Sequence, residues 1–306
     1  MIKLSIVTLS YNTRALTLAC LKTVVSEYKK ELEKNELEVI VVDNNSSDNS
    51  AESIRHYVSH LRQSFGGQAS IKYDGIIKLI QNKENLGFGK GCNLGAKSAK
   101  GKYVLFLNSD TQVFDRGFLS MADFLDKNSN VAVLGGKLEN SDGSIQRSCG
   151  KFYNLFNLLI MLLGLERFGF LRSSPNKIQR VDWVSGACMM VRHDIFEKLT
   201  GFDEKLFMYM EDMEFCYRVK KISFATCFYP NVKLKHKSLG SSNRTFAIIN
   251  IYKGILYFYS KHKTHLEYLV AKLFLITKAG ILILVGLLTF NSELRGRYQK
   301  AISENL

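Results

Sequence analysis

The chain has 306 residues, of which 46% are hydrophobic, 23% charged and only two are proline. That length holds one large enzyme domain or two small ones, and the balance excludes disorder, a collagen-like repeat and a disulfide scaffold. With 42 Lys and Arg against 28 Asp and Glu, the formal charge of +14 points to polyanionic partners such as nucleic acid, anionic lipid or phosphorylated ligands.

The chain starts with a strand, KLSIVTL (3–9), rich in β-branched residues and running into the polar loop SYNTR. The short apolar run reaches polar residues by Ser10 and offers no small-residue cleavage site, so a signal peptide is not expected. Helical spacing follows over 15–30, then a buried strand LEVIVV (37–42) that stops at DNNSSDNS, a turn and cap for a helix over 51–61. A third strand is expected at 76–80, a glycine-rich helix entry at GFGKGCNLGAKSA, and a fourth strand, YVLFL (103–107), ending at NSDT.

This alternation predicts an open α/β sheet with mainly parallel strands, whose ligands bind beyond the carboxyl ends of the strands. Tyr11, Asn12, Asp43, Asn44, Asn108 and Asp110 fall at three such ends. Strands are also expected over 131–138 and 183–191. Between them the apolar stretch 154–171 reads either as a core helix or as an exposed acceptor or membrane contact. The six cysteines form no Cys-x-x-Cys pair, which argues against structural zinc and for reduced cytosolic thiols.

Asp110 follows an apolar strand, so its carboxylate can project from the sheet edge as an oxygen ligand for a divalent cation holding a diphosphate. It can equally cap the next segment. Glu211 and Asp212 open a helical stretch, where an acidic pair offsets the helix dipole. A carboxylate beside an apolar wall is also a good general base, because desolvation raises its proton affinity. His236 can cap, pack or ligate metal. Glycines 87, 89, 91 and 95 come after the third strand rather than the first, so they signify close backbone packing beside a nucleotide rather than a dinucleotide fingerprint.

Most of the positive surplus lies late in the chain: over 233–300, twelve basic residues face Glu267 and Glu293, a balance of +10. Basic flanks around apolar helices fit an anionic membrane surface better than a nucleic-acid groove, so nucleic acid is not an expected partner. The charge-free segment 279–290 spans only about 18 Å against a hydrocarbon core of ~30 Å, and lengthening it takes in Lys272 and Lys278. The preferred expectation is an interfacial helix, with a buried core helix as the alternative.

Taken in order, SIVTLSYN (5–12), VVDNNSSD (41–48), NLGFGKGCN (85–93), LNSD (107–110), SGACMMVR (185–192), GFDEKLFMYMEDMEFCYR (201–218) and HKSLGSS (236–242) resemble the family 2 glycosyltransferases, especially their rhamnosyltransferase-like branch. The resemblance implies a GT-A, Rossmann-like sheet over 1–240 and a helical, membrane-associating extension over 241–306. It implies nucleotide contacts from Tyr11, Asn12, Asp43, Asn45, Gly87, Asn93 and Asn108, with Asp43 accepting a hydrogen bond from the nucleobase. Asp110 would hold Mg²⁺ or Mn²⁺ with the diphosphate, His236 would be a further metal or phosphate ligand, and Asp212 beside Glu211 would be the catalytic base. The family often has Asp where this chain has Asn108, and the branch often has Pro where it has Ser109.

The implied reaction is inverting transfer from a nucleoside-diphosphate sugar, dTDP-rhamnose being one candidate, to a hydroxyl of a glycan or polyprenyl-diphosphate-linked acceptor in cell-surface polysaccharide synthesis. The implied location is the inner face of the cell membrane. The alternative is a catalytically inactive, membrane-associated nucleotide-binding scaffold, for which Asn108 is the best support.

Overall fold

The structure, a computed structural model, describes residues 2–64, 77–165, 169–237 and 244–305. In chain order the first half forms β1 (Leu4–Ser10), α1 (Arg14–Glu27), α2 (Lys29–Glu33), β2 (Leu37–Asp43), α3 (Ser50–Ser64), β3 (Ile77–Gln81), α4 (Phe88–Lys97), β4 (Tyr103–Leu107), β5 (Thr111–Val113), α5 (Gly117–Lys127) and β6 (Val131–Glu139). There follow β7 (Ile145–Gln146), β8 (Cys149–Gly150), α6 (Leu155–Leu162), β9 (Arg172–Ser173), β10 (Gln179–Val181), β11 (Trp183–Val184) and β12 (Cys188–Arg192). The last elements are α7 (His193–Lys198), α8 (Glu211–Lys221), β13 (Ala225–His236), α9 (Arg244–His262), α10 (His265–Leu288) and α11 (Ser292–Asn305).

The main sheet runs β10-β13-β6-β12-β4-β1-β2-β3, with β5 added to β13 and β7 to β6. The β3–β2, β2–β1, β1–β4 and β6–β13 pairs are parallel, whereas β12 is antiparallel to both β4 and β6. It is therefore the mostly parallel α/β sheet expected, with one reversed strand inside it. Side chains alternate between its faces. Val7, Ile40, Val42, Val104 and Phe106 join one apolar core with α4, α7 and α8, while Leu4, Ile6, Val39, Val41 and Leu105 join a second core with α1, α3 and α5. Burial on both faces explains why β4 is a continuous apolar run and why β1 and β2 are mostly apolar, interrupted only by the buried Ser5, Thr8 and Glu38.

Three expectations change. The single strand foreseen over 183–191 is two strands in different sheets, because Ser185, Gly186 and Ala187 form a break between β11 and β12. The glycines of GFGKGCNLGAKSA lie within α4 as well as at its entry. A Cβ on Gly95 would meet Val7 Cγ1 at 2.4 Å and Val42 Cγ2 at 3.1 Å, and one on Gly91 would meet Leu9 Cδ1 at 2.5 Å, so the bare helix face lets α4 lie against the sheet. The apolar stretch 154–171 is helical only over α6, which buries Leu158, Met161 and Leu162 and exposes Phe156 and Leu159, with Leu163 exposed just past its end; residues 166–168 lie outside the described residues.

The chain beyond residue 240 is not uniform. α9 buries Tyr252, Ile255, Phe258 and Tyr259 in the same core as α8, and Gly254 lets it approach Met210, whose Cγ a Cβ there would meet at 2.7 Å. α10 buries only a stripe, Ala271, Leu275, Ala279 and Gly286, and exposes Leu266, Leu269, Leu273, Ile281, Leu284 and Leu288. Among the described residues α10 is the one helix long and apolar enough to cross a membrane by length and composition.

The helical glycines give a paired test. Gly95→Ala gains helix propensity worth about 1 kcal/mol, but overpacking against Val7 and Val42 costs about 1–3 kcal/mol, so the net effect is destabilising. Gly296, in α11, has open space at the Cβ position, and Gly296→Ala is expected to stabilise by about 0.5–1 kcal/mol. Thermal unfolding of the two variants should shift in opposite directions; shifts of the same sign would refute the packing account.

Candidate active site

Tyr11, Asn108, Asp110, Glu211, Asp212 and His236 line one cavity of about 310 Å³ beyond the carboxyl ends of β1, β4 and β13. Leu9, Thr13, Phe88, Ser109, Gly186, Met208 and Tyr209 complete much of its wall. A larger cavity, about 830 Å³, lies at the other end of the sheet, beside Asn130 and the first residues of β13. None of the expected site residues lines it.

Asp110 and His236 meet because β5 pairs antiparallel with the end of β13, placing His236 opposite Thr111. His236 Nε2 is 3.2 Å from Asp110 Oδ1 and 3.3 Å from Asn108 Nδ2. The Asp110 side chain is only 7% exposed. Ser109 is held from the other side by a run of hydroxyls: its Oγ is 3.2 Å from Thr13 Oγ1, which lies 3.1 Å from Thr17 Oγ1. Residues 238–242 of the HKSLGSS segment lie outside the described residues.

The acidic pair opens α8 directly after Tyr209 and Met210, two non-glycine residues at φ 69° and 74°. Such left-handed backbone costs about 1–3 kcal/mol per residue and persists only where the surroundings hold it. Here Met210 is buried against α9 at Gly254. Asp212 Oδ2 accepts from the Gly186 N–H at 3.0 Å, and Oδ1 from the Met213 N–H at 2.7 Å. Glu211 is buried, with Oε2 lacking a hydrogen-bond partner. Burial first, and then the neighbouring Asp212 charge, hold the Glu211 carboxyl well above the usual carboxylate range. Burial also raises Asp212, against the opposing pull of its two backbone donors. Of the two, Asp212 has the backbone donors that favour its anion, whereas Glu211 Oε2 has none.

The residues at the end of β2 form an adjoining polar turn rather than part of the cavity lining. Asp43 is fully buried; its Oδ2 accepts from the Ser46 N–H at 3.2 Å, and its Oδ1 has no partner. Asn12, at φ 53°, accepts from the Ser47 N–H at 2.8 Å, while Asn45 adopts φ 65° at the turn's exposed tip. Asn44 is a buried hub, accepting from the Leu86 N–H and from Asn82, and donating to Asn85 and Gly87 O.

Two of the expected nucleotide residues make scaffold contacts. Both ends of the Asn93 carboxamide are taken by Phe202, Nδ2 donating to its carbonyl at 2.9 Å and Oδ1 accepting from its N–H at 2.8 Å. Gly87 has φ 80°, and a Cβ there would fall 2.3 Å from Phe207 O. Both residues fasten α4 to the segment that leads into α8.

Sequence reasoning missed the Gly186 N–H that orients Asp212, although it lies within the quoted SGACMMVR segment. It also missed Gln146, whose Oε1 is 2.8 Å from His236 Nδ1, and nothing in IQRSCG marks that residue.

The sequence profile of glycosyl transferase family 2 matches residues 5–200. The chain is 25% identical over 197 residues to the N-acetylglucosaminyl-diphospho-decaprenol L-rhamnosyltransferase of Mycobacterium tuberculosis, an overlap of 58% of this chain and 64% of that protein. It is 27% identical over 169 residues to the rhamnosyltransferase WbbL of Escherichia coli, covering 52% of this chain and 64% of that one. The chain thus spans less than two thirds of the length of these relatives. Among solved structures it resembles the mannosyltransferase PcManGT of Pyrobaculum calidifontis, in complex with GDP-Man and Mn²⁺, with a TM-score of 0.59 and 14% identity over 99% of this chain and 86% of that one. At that identity the likeness establishes the fold, which is GT-A.

Proposed function

The chain belongs to glycosyl transferase family 2, and from that premise we propose that it transfers a sugar, with inversion, from a nucleoside-diphosphate donor to a hydroxyl of a glycan or lipid-linked glycan acceptor. The observation that carries this reading is the convergence of the Asp110–His236 pair and the Asp212 carboxylate on one cavity at the strand ends. The names of the mycobacterial and Escherichia coli relatives favour a rhamnosyl donor such as dTDP-rhamnose and a polyprenyl-diphosphate-linked acceptor in cell-surface polysaccharide synthesis.

In this reading Asp43 uses its unpartnered Oδ1 to accept a hydrogen bond from the nucleobase, in the turn held by Asn12 and Asn45. Tyr11 and Asn108 line the path of the nucleotide into the cavity. Asp110 and His236 supply an oxygen and a nitrogen donor suited to Mn²⁺ or Mg²⁺. Among the described residues no group of three or more His, Cys, Asp or Glu side chains is placed to hold a metal, so a cation held by Asp110 and His236 would take further ligands from diphosphate oxygens and water. A bound divalent cation would neutralise charge growing on the departing diphosphate. Asp212 accepts the proton of the acceptor hydroxyl as it attacks the anomeric carbon. Burial suits it to that work, and the Gly186 N–H holds its carboxylate in place. Burial and the Asp212 charge both disfavour a second negative charge on Glu211.

α10 lies on the protein along one stripe and turns the rest of its apolar surface outward, with the exposed Phe156 of α6, its packing partner, and Leu163 just past that helix adding to that apolar surface. Together with the basic surplus over 233–300, this geometry favours a helix lying at an anionic membrane surface, on the inner face of the cell membrane.

Asp110→Ala should abolish transfer and weaken the binding of Mn²⁺ in the presence of nucleoside diphosphate. Calorimetric titration reads this directly, and unchanged Mn²⁺ binding would move the cation elsewhere. Asp212→Asn preserves shape and removes basicity. It should keep donor binding and lose ~10²–10⁴-fold in turnover, the usual contribution of a general base; turnover near wild type in folded protein would exclude the assignment.

The full chain should sediment with anionic vesicles, more weakly at high salt and weakly with neutral ones, since each basic residue near the surface contributes about 1 kcal/mol. A Leu273→Glu, Leu284→Glu double variant should lose this binding. Equal binding by the variant, or none by the wild type, would leave α10 without a membrane role.

A further inference from the structure

Gln146 does not line the cavity, yet its carboxamide grips His236 at two points. Its Nε2 donates to the His236 backbone carbonyl at 2.7 Å and to Asn140 Oδ1 at 2.6 Å, while its Oε1 is 2.8 Å from His236 Nδ1. A peptide carbonyl can only accept, so the amide nitrogen must be the end that faces it, and the oxygen is left for the ring. An amide oxygen also only accepts, so Nδ1 carries a hydrogen and donates it. In the neutral ring, Nε2 then holds a lone pair, 3.2 Å from Asp110 Oδ1 and within reach of the Asn108 amide. Two electron-pair donors this close repel each other unless a proton or a metal cation lies between them, and with a cation present the pair has the arrangement of two metal ligands.

We propose that Gln146 is a positioning residue: it fixes His236 in the Nδ1–H tautomer and so aims the Nε2 lone pair at the cation shared with Asp110. This rests on the reading of Asp110 and His236 as cation ligands. The backbone holds Gln146 for the task. β7 pairs with β6 in a hairpin, Leu138 opposite Gln146, and its turn is closed by Asp142 Oδ1, which accepts from the Ser144 N–H at 2.9 Å, and by Gly143 at φ 84°. Such an outer partner on a metal-binding histidine sets which ring nitrogen is free, and its loss typically costs 10–100-fold in metal affinity.

The test uses the full chain with ¹⁵N-labelled histidine, free of metal at about pH 9, above the ordinary histidine value of ~6.5. Two-bond ¹H–¹⁵N correlation reads the tautomer of His236, assigned by its absence in His236→Asn, and Mn²⁺ affinity with nucleoside diphosphate is read by electron paramagnetic resonance. Wild type should show the Nδ1–H tautomer alone. Gln146→Leu should lose that preference and bind Mn²⁺ about 10–100-fold more weakly, while Gln146→Glu, which keeps an acceptor at Nδ1 but loses the two bonds donated by Nε2, should restore the tautomer and give an affinity above that of Gln146→Leu. An unchanged tautomer in Gln146→Leu, whatever its Mn²⁺ affinity, overturns the inference, as does a changed tautomer with unchanged affinity. Asp110→Ala separates the two levels: unchanged Mn²⁺ affinity in that variant overturns the cation reading beneath.

Discussion

Three rungs of antiparallel pairing between β5 and β13 decide where this protein's chemistry can occur. They set Leu234 opposite Val113, Lys235 opposite Gln112 and His236 opposite Thr111, and the next backbone bond, from Lys237 N–H to Asp110 O, closes the ladder. Successive strand residues point to opposite faces, so a slip of one residue would turn His236 away from Asp110. The parallel strands on either side bring their carboxyl ends to the same edge. The reversed strand β12 begins there and delivers Gly186 to Asp212.

The second constraint is electrostatic. α8 starts with two acidic residues at a buried position, which its own helix dipole and two backbone N–H groups make tolerable for one charge. A third carboxylate one turn on, Glu214, is anchored separately. It accepts from His262, Arg218 and Lys261, and these partners pull its carboxyl down to about 2 against the opposing effect of burial. Lys261 and His262 belong to α9, so this cluster ties the first helix beyond residue 240 to the helix that carries the acidic pair. α9 therefore shares its packing and its charge balance with the sheet-based part of the fold, whereas α10 offers mainly apolar surface to its surroundings.

Much of this was legible in the sequence where burial is symmetrical. β1, β2 and β4 are buried on both faces, so they are mostly apolar apart from the buried Ser5, Thr8 and Glu38, and their polar ends mark the sheet edge where Tyr11, Asp43, Asn108 and Asp110 sit. β13 was not legible as a strand: Pro230 and two alternating lysines interrupt its pattern, and its pairing with β6 shifts register between Tyr229 and Leu234. The break at 185–187 was hidden because apolar residues flank it on both sides. The scaffold bond of Asn93 was not legible, because its partner, the backbone of Phe202, lies 109 residues away. Gln146 gave no signal, since its role comes entirely from the β6–β7 hairpin.

The central claim is that Asp110 and His236 hold a divalent cation against a nucleoside diphosphate. Crystals of the protein grown with Mn²⁺ and nucleoside diphosphate, measured at the manganese absorption edge, test it most directly. The account predicts one anomalous peak within about 2–2.5 Å of an Asp110 carboxylate oxygen and of a diphosphate oxygen, with His236 Nε2 as a neighbouring ligand. Nucleotide bound in the cavity with the peak elsewhere, or with none, would contradict it.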